Sequence, residues 1–217
     1  VKILALDGAL GEFSTAICAG QRVVATAAEP AQSALERGLG AIQSVMHDAT
    51  VAGDDLDRIA VGIGPGSFTG LRIAIAYAKS LATAWRRPLV PISSFDLLEH
   101  GAAFDRVLTV VVGRPGVISA RYRNRDAERR ASGRIADVLG EIFDAGAPSE
   151  ILTVIGAPKD VLDALAERRV QVHPTNPAVT PAAAAAALAA VTRVPAASPH
   201  EVTADYGELP AVTMRQR

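Results

Sequence analysis

The chain has 217 residues, 49% of them hydrophobic and 21% charged, the balance of a globular protein long enough to bury a large core. A net charge of −1 argues against a general polyanion binder, and the lone cysteine, Cys18, leaves no intrachain disulfide to form. No apolar run approaches the ~20 residues of a membrane helix, and the first residues run straight into a strand without a signal-peptide pattern, so a cytoplasmic protein is expected.

Residues 1–6 read as a first strand. Residues 13–19 and 22–27 flank Gly20-Gln21, the pattern of a hairpin. Between the first two strands lies the turn Asp7-Gly-Ala-Leu-Gly-Glu12. Residues 32–50 read as a helix, with Ser33 and Glu36 in capping-box spacing and Leu35, Leu39, Ile42 and Met46 on one apolar stripe, widened by Val45 and Ala49. Gly38 and Gly40 inside it each cost about 1 kcal/mol relative to Ala, which suggests that another backbone approaches there.

After a turn at 53–57, residues 58–63 read as a short buried strand. Gly64-Pro-Gly-Ser-Phe-Thr-Gly70 follows, then a helix over 71–85. This is one βα unit with a glycine-rich turn. Ser67 suits the helix N-cap, and the free N–H groups at that helix start could hold an anion. The loop is neither a Walker A sequence, since no Gly-Lys-Ser/Thr follows, nor the dinucleotide fingerprint. On spacing alone it is a tight, capped turn.

Residues 89–92 read as a strand and 93–98 as a short helix capped by Ser93 or Ser94. Further strands are expected at 106–112, 117–124, 151–155 and 170–173, and helices at 134–145, at 158–169 with Pro158 in the first turn, and at 182–192. Residues 174–181 read as a loop, and the tail from Val194 as a surface segment.

As a literal string, Gly64-Pro-Gly-Ser-Phe-Thr-Gly-Leu-Arg-Ile73 with Ala78-Lys79 resembles the TsaB (YeaZ) family of glycoprotease-like (M22-like) proteins. The resemblance covers roughly the first hundred residues. It implies an α/β fold of the actin-like ATPase (ASKHA, ribonuclease H-like) type, with two lobes and a reduced second one. The divisions expected are an N-terminal lobe over 1–103, a smaller lobe over 104–180, and a helix and tail over 181–217 packing back on the first lobe. The family's role is in making threonylcarbamoyladenosine at position 37 of tRNA. Its members serve as non-catalytic partner and activator of the transferase TsaD, together with the ATPase TsaE. On that reading the chain is not an enzyme, holds no cofactor, meets tRNA only indirectly and could pair with itself when alone. The rival is a small kinase or ATPase of the same superfold, or an M22-type peptidase.

Actin-like and Hsp70-like ATPases also begin with an Asp ending the first strand, before a loop that wraps nucleotide phosphates. TsaB-like proteins read Asp-Thr-Ser there. This chain has Asp7-Gly8-Ala9, a phosphate loop without either hydroxyl. The metal-binding His pair of TsaD-type enzymes, four apart on a helix, has no counterpart among His47, His100, His173 and His200. Ser67 does not sit in a Gly-x-Ser-x-Gly elbow. The Asp-Ala-Arg-Arg-Gly-Glu-Val-Tyr-like segment of TsaB relatives is reduced to Arg114 and Gly116.

Seven arginines against Asp126 and Glu128 make residues 114–134 basic. Arg121, Arg123 and Arg125, two apart, would share one strand face. They read as a solvated or edge face, or as a contact for tRNA or an acidic partner. In the helix over 71–85, Ile73, Tyr77, Leu81 and Trp85 are expected to face the sheet. Thr69, Arg72, Ala76, Lys79 and Thr83 then form a second stripe, with Ile75 between. Together with Leu35, Gly38, Leu39 and Ile42 these residues are the candidate partner interface, a four-helix contact of the kind the family implies.

Overall fold

The computed structural model describes residues 1–101, 104–144, 150–175 and 182–207. Two five-stranded sheets carry the fold. The first is built from β1 (Lys2–Asp7), β2 (Glu12–Ala19), β3 (Arg22–Pro30), β4 (Arg58–Gly64) and β5 (Leu89–Ser93), in the order β3-β2-β1-β4-β5. β1 pairs antiparallel with β2 and β2 with β3, whereas β1, β4 and β5 run parallel. The parallel steps need crossovers, supplied by α1 (Ala34–Asp48) and α2 (Phe68–Ala84). The second sheet repeats the scheme with β6 (Val107–Arg114), β7 (Val117–Arg123), β8 (Glu128–Arg134), β9 (Leu152–Ile155) and β10 (Val172–Thr175), ordered β10-β9-β6-β7-β8. Its crossovers are α4 (Ile135–Ile142) and α5 (Lys159–Glu167), and a short α3 (Ser94–Leu98) lies between the two halves of the chain.

Strand alternation assigns the faces of the first sheet. Leu4 and Leu6 of β1 pack with Phe13, Ile17, Ile42 and Leu71 on the side of α1 and α2. Ile3 and Ala5 pack on the other side with Ala16, Cys18 and Ala183–Ala187 of α6 (Ala182–Ala190). The buried residues of α6 are all alanines, so the helix lies flush on the sheet, and Arg58 Nη1 donates to the Ala190 carbonyl at 2.9 Å. In the second sheet Leu108, Val110, Ile118 and Ala120 meet α4 and α5 through Val138, Leu139, Ile142, Val161 and Leu165. The opposite face carries Thr109, Ser119 and Arg121, all buried.

Several expectations need correction. β8 is a strand that the sequence reading missed, and β7 is therefore interior rather than an edge. The buried stripe of α1 is Ala34, Gly38, Ala41, Ile42 and Val45, while Leu35 and Leu39 are 70% and 45% exposed. The sheet-facing stripe of α2 is Leu71, Ala74, Ile75, Ala78 and Ala82. Ile73, Tyr77, Leu81 and Trp85 are only partly buried at the margin of that core. Ser33 makes no side-chain capping bond, and Pro158 is the N-cap of α5 rather than a residue of its first turn. Ser67 and Ser93 do cap, accepting from the Gly70 and Phe95 N–H groups at 3.3 and 3.2 Å. β10 extends to Thr175, two residues into the expected loop, whose remainder, 176–181, lies outside the described residues. Over its described residues, 194–207, the tail is not only a surface segment. The Ala196 N–H donates to the Leu89 carbonyl at 2.9 Å, and Val202 is buried in the first core.

Candidate functional site

β1 and β4 run parallel and side by side, so the turn after β1 and the loop after β4 meet at the same end of the sheet. Asp7, the last residue of β1, is fully buried. Its Oδ2 accepts from the Ala9 and Leu10 N–H groups at 3.0 and 3.3 Å, while Oδ1 has no partner and lies against Gly62, where a Cβ would collide with it. Burial pushes the Asp7 carboxyl up from 3.8 to about 6, against the pull of the bonds from Leu10 and Ala9.

The two loops touch through backbone. The Ser67 N–H donates to the Ala9 carbonyl at 2.9 Å. A Cβ on Gly8 would collide with the Gly70 carbonyl, and one on Gly70 with the Gly8 carbonyl. Gly64 and Gly66 have φ of +100° and +154°, and the Gly64–Pro65 peptide is cis. Close approach, not an open cradle, is therefore what these glycines provide. With Ala9 in place of a hydroxyl and the loop backbones in contact, the residues here do not fit the phosphates of a nucleotide. Gly70→Ala tests the packing. Propensity alone would favour Ala in a helix by about 1 kcal/mol, but overlap with a carbonyl oxygen reverses the sign. A net loss of roughly 1–3 kcal/mol is expected in denaturant unfolding.

α1 and α2 lie side by side, with the Tyr77 hydroxyl donating to the Leu35 carbonyl at 2.9 Å. Of the candidate partner residues, Leu35, Leu39, Thr69, Arg72, Ala76 and Thr83 are exposed. Lys79 is partly buried, its Nζ donating to the His200 carbonyl at 3.2 Å. Gly38, Ile42 and Ile75 are buried within the chain and offer a partner no surface. The site facing Gly38 is occupied by Tyr77 and Phe13, whereas the position above Gly40 is open. At the start of α2, Phe68 is 55% exposed, stacks on Tyr206 at 4.8 Å and lies under the Arg72 guanidinium at 5.2 Å.

Two arginines of the cluster, Arg121 and Arg123, belong to an internal ion network, whereas Arg125, Arg129, Arg130 and Arg134 are exposed. Arg121, 4% exposed, bonds Asp96 at 2.7 Å and Glu99 at 3.0 Å. Arg123 bonds Glu99 at 2.6 Å, Arg193 bonds Asp96 at 2.6 Å, and the Thr109 hydroxyl donates to Glu99. Burial raises the Asp96 carboxyl, but Arg121 and Arg193 outweigh it and hold it below its ordinary value. Arg121 thus has no surface to offer tRNA. Arg125 lies past the end of β7, exposed and paired with Asp105. The sequence reading did not connect these arginines to Asp96 and Glu99, although acids three apart at the start and end of a short helix share a face. Among the described residues, no group of three or more His, Cys, Asp or Glu is placed to hold a metal. No helix described is long and apolar enough to cross a membrane.

Two repeats of three antiparallel strands followed by two parallel crossovers define an actin-like ATPase fold. A solved Bacteroides thetaiotaomicron protein described as having that fold matches with a TM-score of 0.51 at 11% identity, over 85% of this chain and 94% of that one. A Pseudomonas aeruginosa structure described as similar to peptidase YeaZ matches with a TM-score of 0.73 at 23% identity, over 95% of this chain and 99% of that one. The family model described as TsaD: tRNA N6-adenosine threonylcarbamoyltransferase matches residues 28–204, and the chain belongs to that family. The Escherichia coli tRNA threonylcarbamoyladenosine biosynthesis protein TsaB is 30% identical over 130 residues, 58% of this chain and 56% of that protein. The chain spans about a third to just over half the length of the curated relatives it matches.

Proposed function

We propose that this chain takes part in the biosynthesis of threonylcarbamoyladenosine at position 37 of tRNA, as a binding partner and activator of a TsaD-type transferase and not as the catalyst. A TsaE-type ATPase joins the larger assembly, tRNA is met through the complex, and a second copy of the chain takes the same face when the transferase is absent. The observation that carries this reading is the exposed face of α1 and α2. Leu35 and Leu39 are apolar side chains left 70% and 45% exposed on one helix. Thr69, Arg72, Ala76 and Thr83 line the open side of its neighbour. Small residues at the centre let a partner helix come close, with charge at the margin. The closed loop pair around Asp7 supports a role without nucleotide chemistry. The division at 103/104, with 181–217 returning to the first lobe, is part of the same proposal, and α6 packed on β1 and β2 supports it.

Ala76→Arg puts an unpaired charge in the middle of the face while leaving the fold intact, because Ala76 is exposed. Burying that charge against a partner is expected to weaken binding of a TsaD homologue at least about a hundredfold. Calorimetric titration with the purified transferase, beside a melting curve, makes the test. A variant that melts normally and binds like the parent sinks the assignment of the face.

A further inference from the structure

Val202 is 3% exposed and belongs to the first core, yet three residues later the chain is at the surface. Asp205 donates its N–H to the Ile63 carbonyl at 2.7 Å, just before the loop that opens α2. The Tyr206 ring lies on Phe68, the first residue of α2. Gly207, at φ +73°, donates its N–H to Asp205 Oδ1 at 2.9 Å, which turns the segment back on itself. A Cβ built on Gly207 would collide with Ser119 Oγ of β7, and would stand 3.2 Å from Ser132 Oγ of β8 and 3.3 Å from Pro65 Cβ. One glycine thus touches the loop of the first sheet and two strands of the second.

We propose that residues 202–207 are a releasable strap that closes the gap between the loop at 64–66 and strands β7 and β8, and that couples this gap to the first turn of α2 through Phe68. The root is fixed by burial of Val202 and by Ala204, which packs against the same core. Among the described residues the tip is held by one backbone bond, by the Asp205 carbonyl packed against Gly64, by one ring contact and by the close-packed Gly207, with Asp205, Tyr206 and Gly207 all exposed. Segments held by few buried contacts and exposed hydrogen bonds open at low free-energy cost, well below global unfolding. The Asp96–Arg121 network, buried and multiply bonded, is the opposite kind of link between the halves. Release of the tip removes the ring from Phe68 and frees the helix turn that carries Thr69 and Arg72.

Hydrogen exchange read by mass spectrometry on the full chain tests this with two variants. Gly207→Val places a branched side chain where φ is positive and Ser119 already stands. Tyr206→Ala removes the stack without steric conflict. Both are expected to raise exchange about tenfold at residues 63–72 and 117–120, while β1 and α1 keep the parent's rates. Parent rates at 63–72 and 117–120 in both variants would show that the tip closes nothing. A rise that spreads to β1 and α1 in Tyr206→Ala would show that the tip is integral to the fold and not releasable. A rise at 117–120 without one at 68–72 would overturn the coupling to α2.

Discussion

Asp7→Asn is expected to stabilise the protein by about 3 kcal/mol at pH 8 and to leave it near the parent at pH 4. The carboxyl is fully buried and shifted up from 3.8 to about 6 by that burial. Between those two values the native state holds a proton that the unfolded state has released. Stability therefore falls as pH rises through that window, and the penalty is complete above pH 6. Asparagine keeps a carbonyl to accept from the Ala9 and Leu10 N–H groups and removes the titration. Chemical denaturation of both proteins from pH 4 to pH 8 gives the difference. That difference isolates Asp7 from Asp96, whose lowered value contributes stability in the opposite sense, lost at the acid end. Equal stability of the two proteins at pH 8 would show that the ionised carboxylate is solvated in a way the fold does not provide.

What could be read in advance follows from which interactions are local. The βα unit at 58–85 was legible because Gly64, Gly66 and Ser67 specify a turn and a cap by their own backbone and side-chain chemistry. The strands of the first sheet were legible from apolar runs bounded by turns. The faces of α1 and α2 were not. Periodicity finds a stripe but cannot tell which of two neighbouring stripes meets the sheet. The expected stripe of α1 was right at Ile42 and Val45, but the large residues Leu35, Leu39 and Tyr77 drew the rest of the choice, whereas the helices lie on the sheet through Ala34, Gly38, Ala41, Ile42 and Val45 of α1 and Leu71, Ala74, Ile75, Ala78 and Ala82 of α2. β8 was missed because an edge strand reading Glu-Arg-Arg-Ala-Ser-Gly-Arg has only Ala131 buried. Losing β8 made β7 look like an edge, and its arginines look like a surface. The duplicated strand order left no sequence repeat to find, because the two sheets share connectivity and not residues. In the candidate site, the sequence identified the loops but not their mutual closure, which depends on parallel pairing of β1 with β4.

Arg121→Ala is expected to destabilise the protein by roughly 3–5 kcal/mol, the usual cost of leaving buried charge without its partner. Arg121 and Glu99 are 4% and 6% exposed, and Asp96 is largely covered. Removing the guanidinium leaves Glu99 with Arg123 and the Thr109 hydroxyl, and Asp96 with Arg193, both short of the partner that lies between them. The Phe95 ring, 5.2 Å beneath the guanidinium, also loses one of its two cation contacts and keeps that of Arg130 at 5.8 Å. Because Asp96 lies in α3 and Glu99 caps its C-terminus whereas Arg121 belongs to β7, the loss falls on the docking of the second sheet against α3. Arg121→Met with Glu99→Gln replaces a charged pair by an apolar group and a neutral one of similar volume. That double variant is expected to be less destabilised than the sum of its single changes, with an interaction energy of about 1–3 kcal/mol. Urea unfolding of the parent, both single variants and the double variant closes the cycle. Simple additivity, or a loss below about 1 kcal/mol for Arg121→Ala, would place Arg121 among solvated arginines and return the basic strand to the surface.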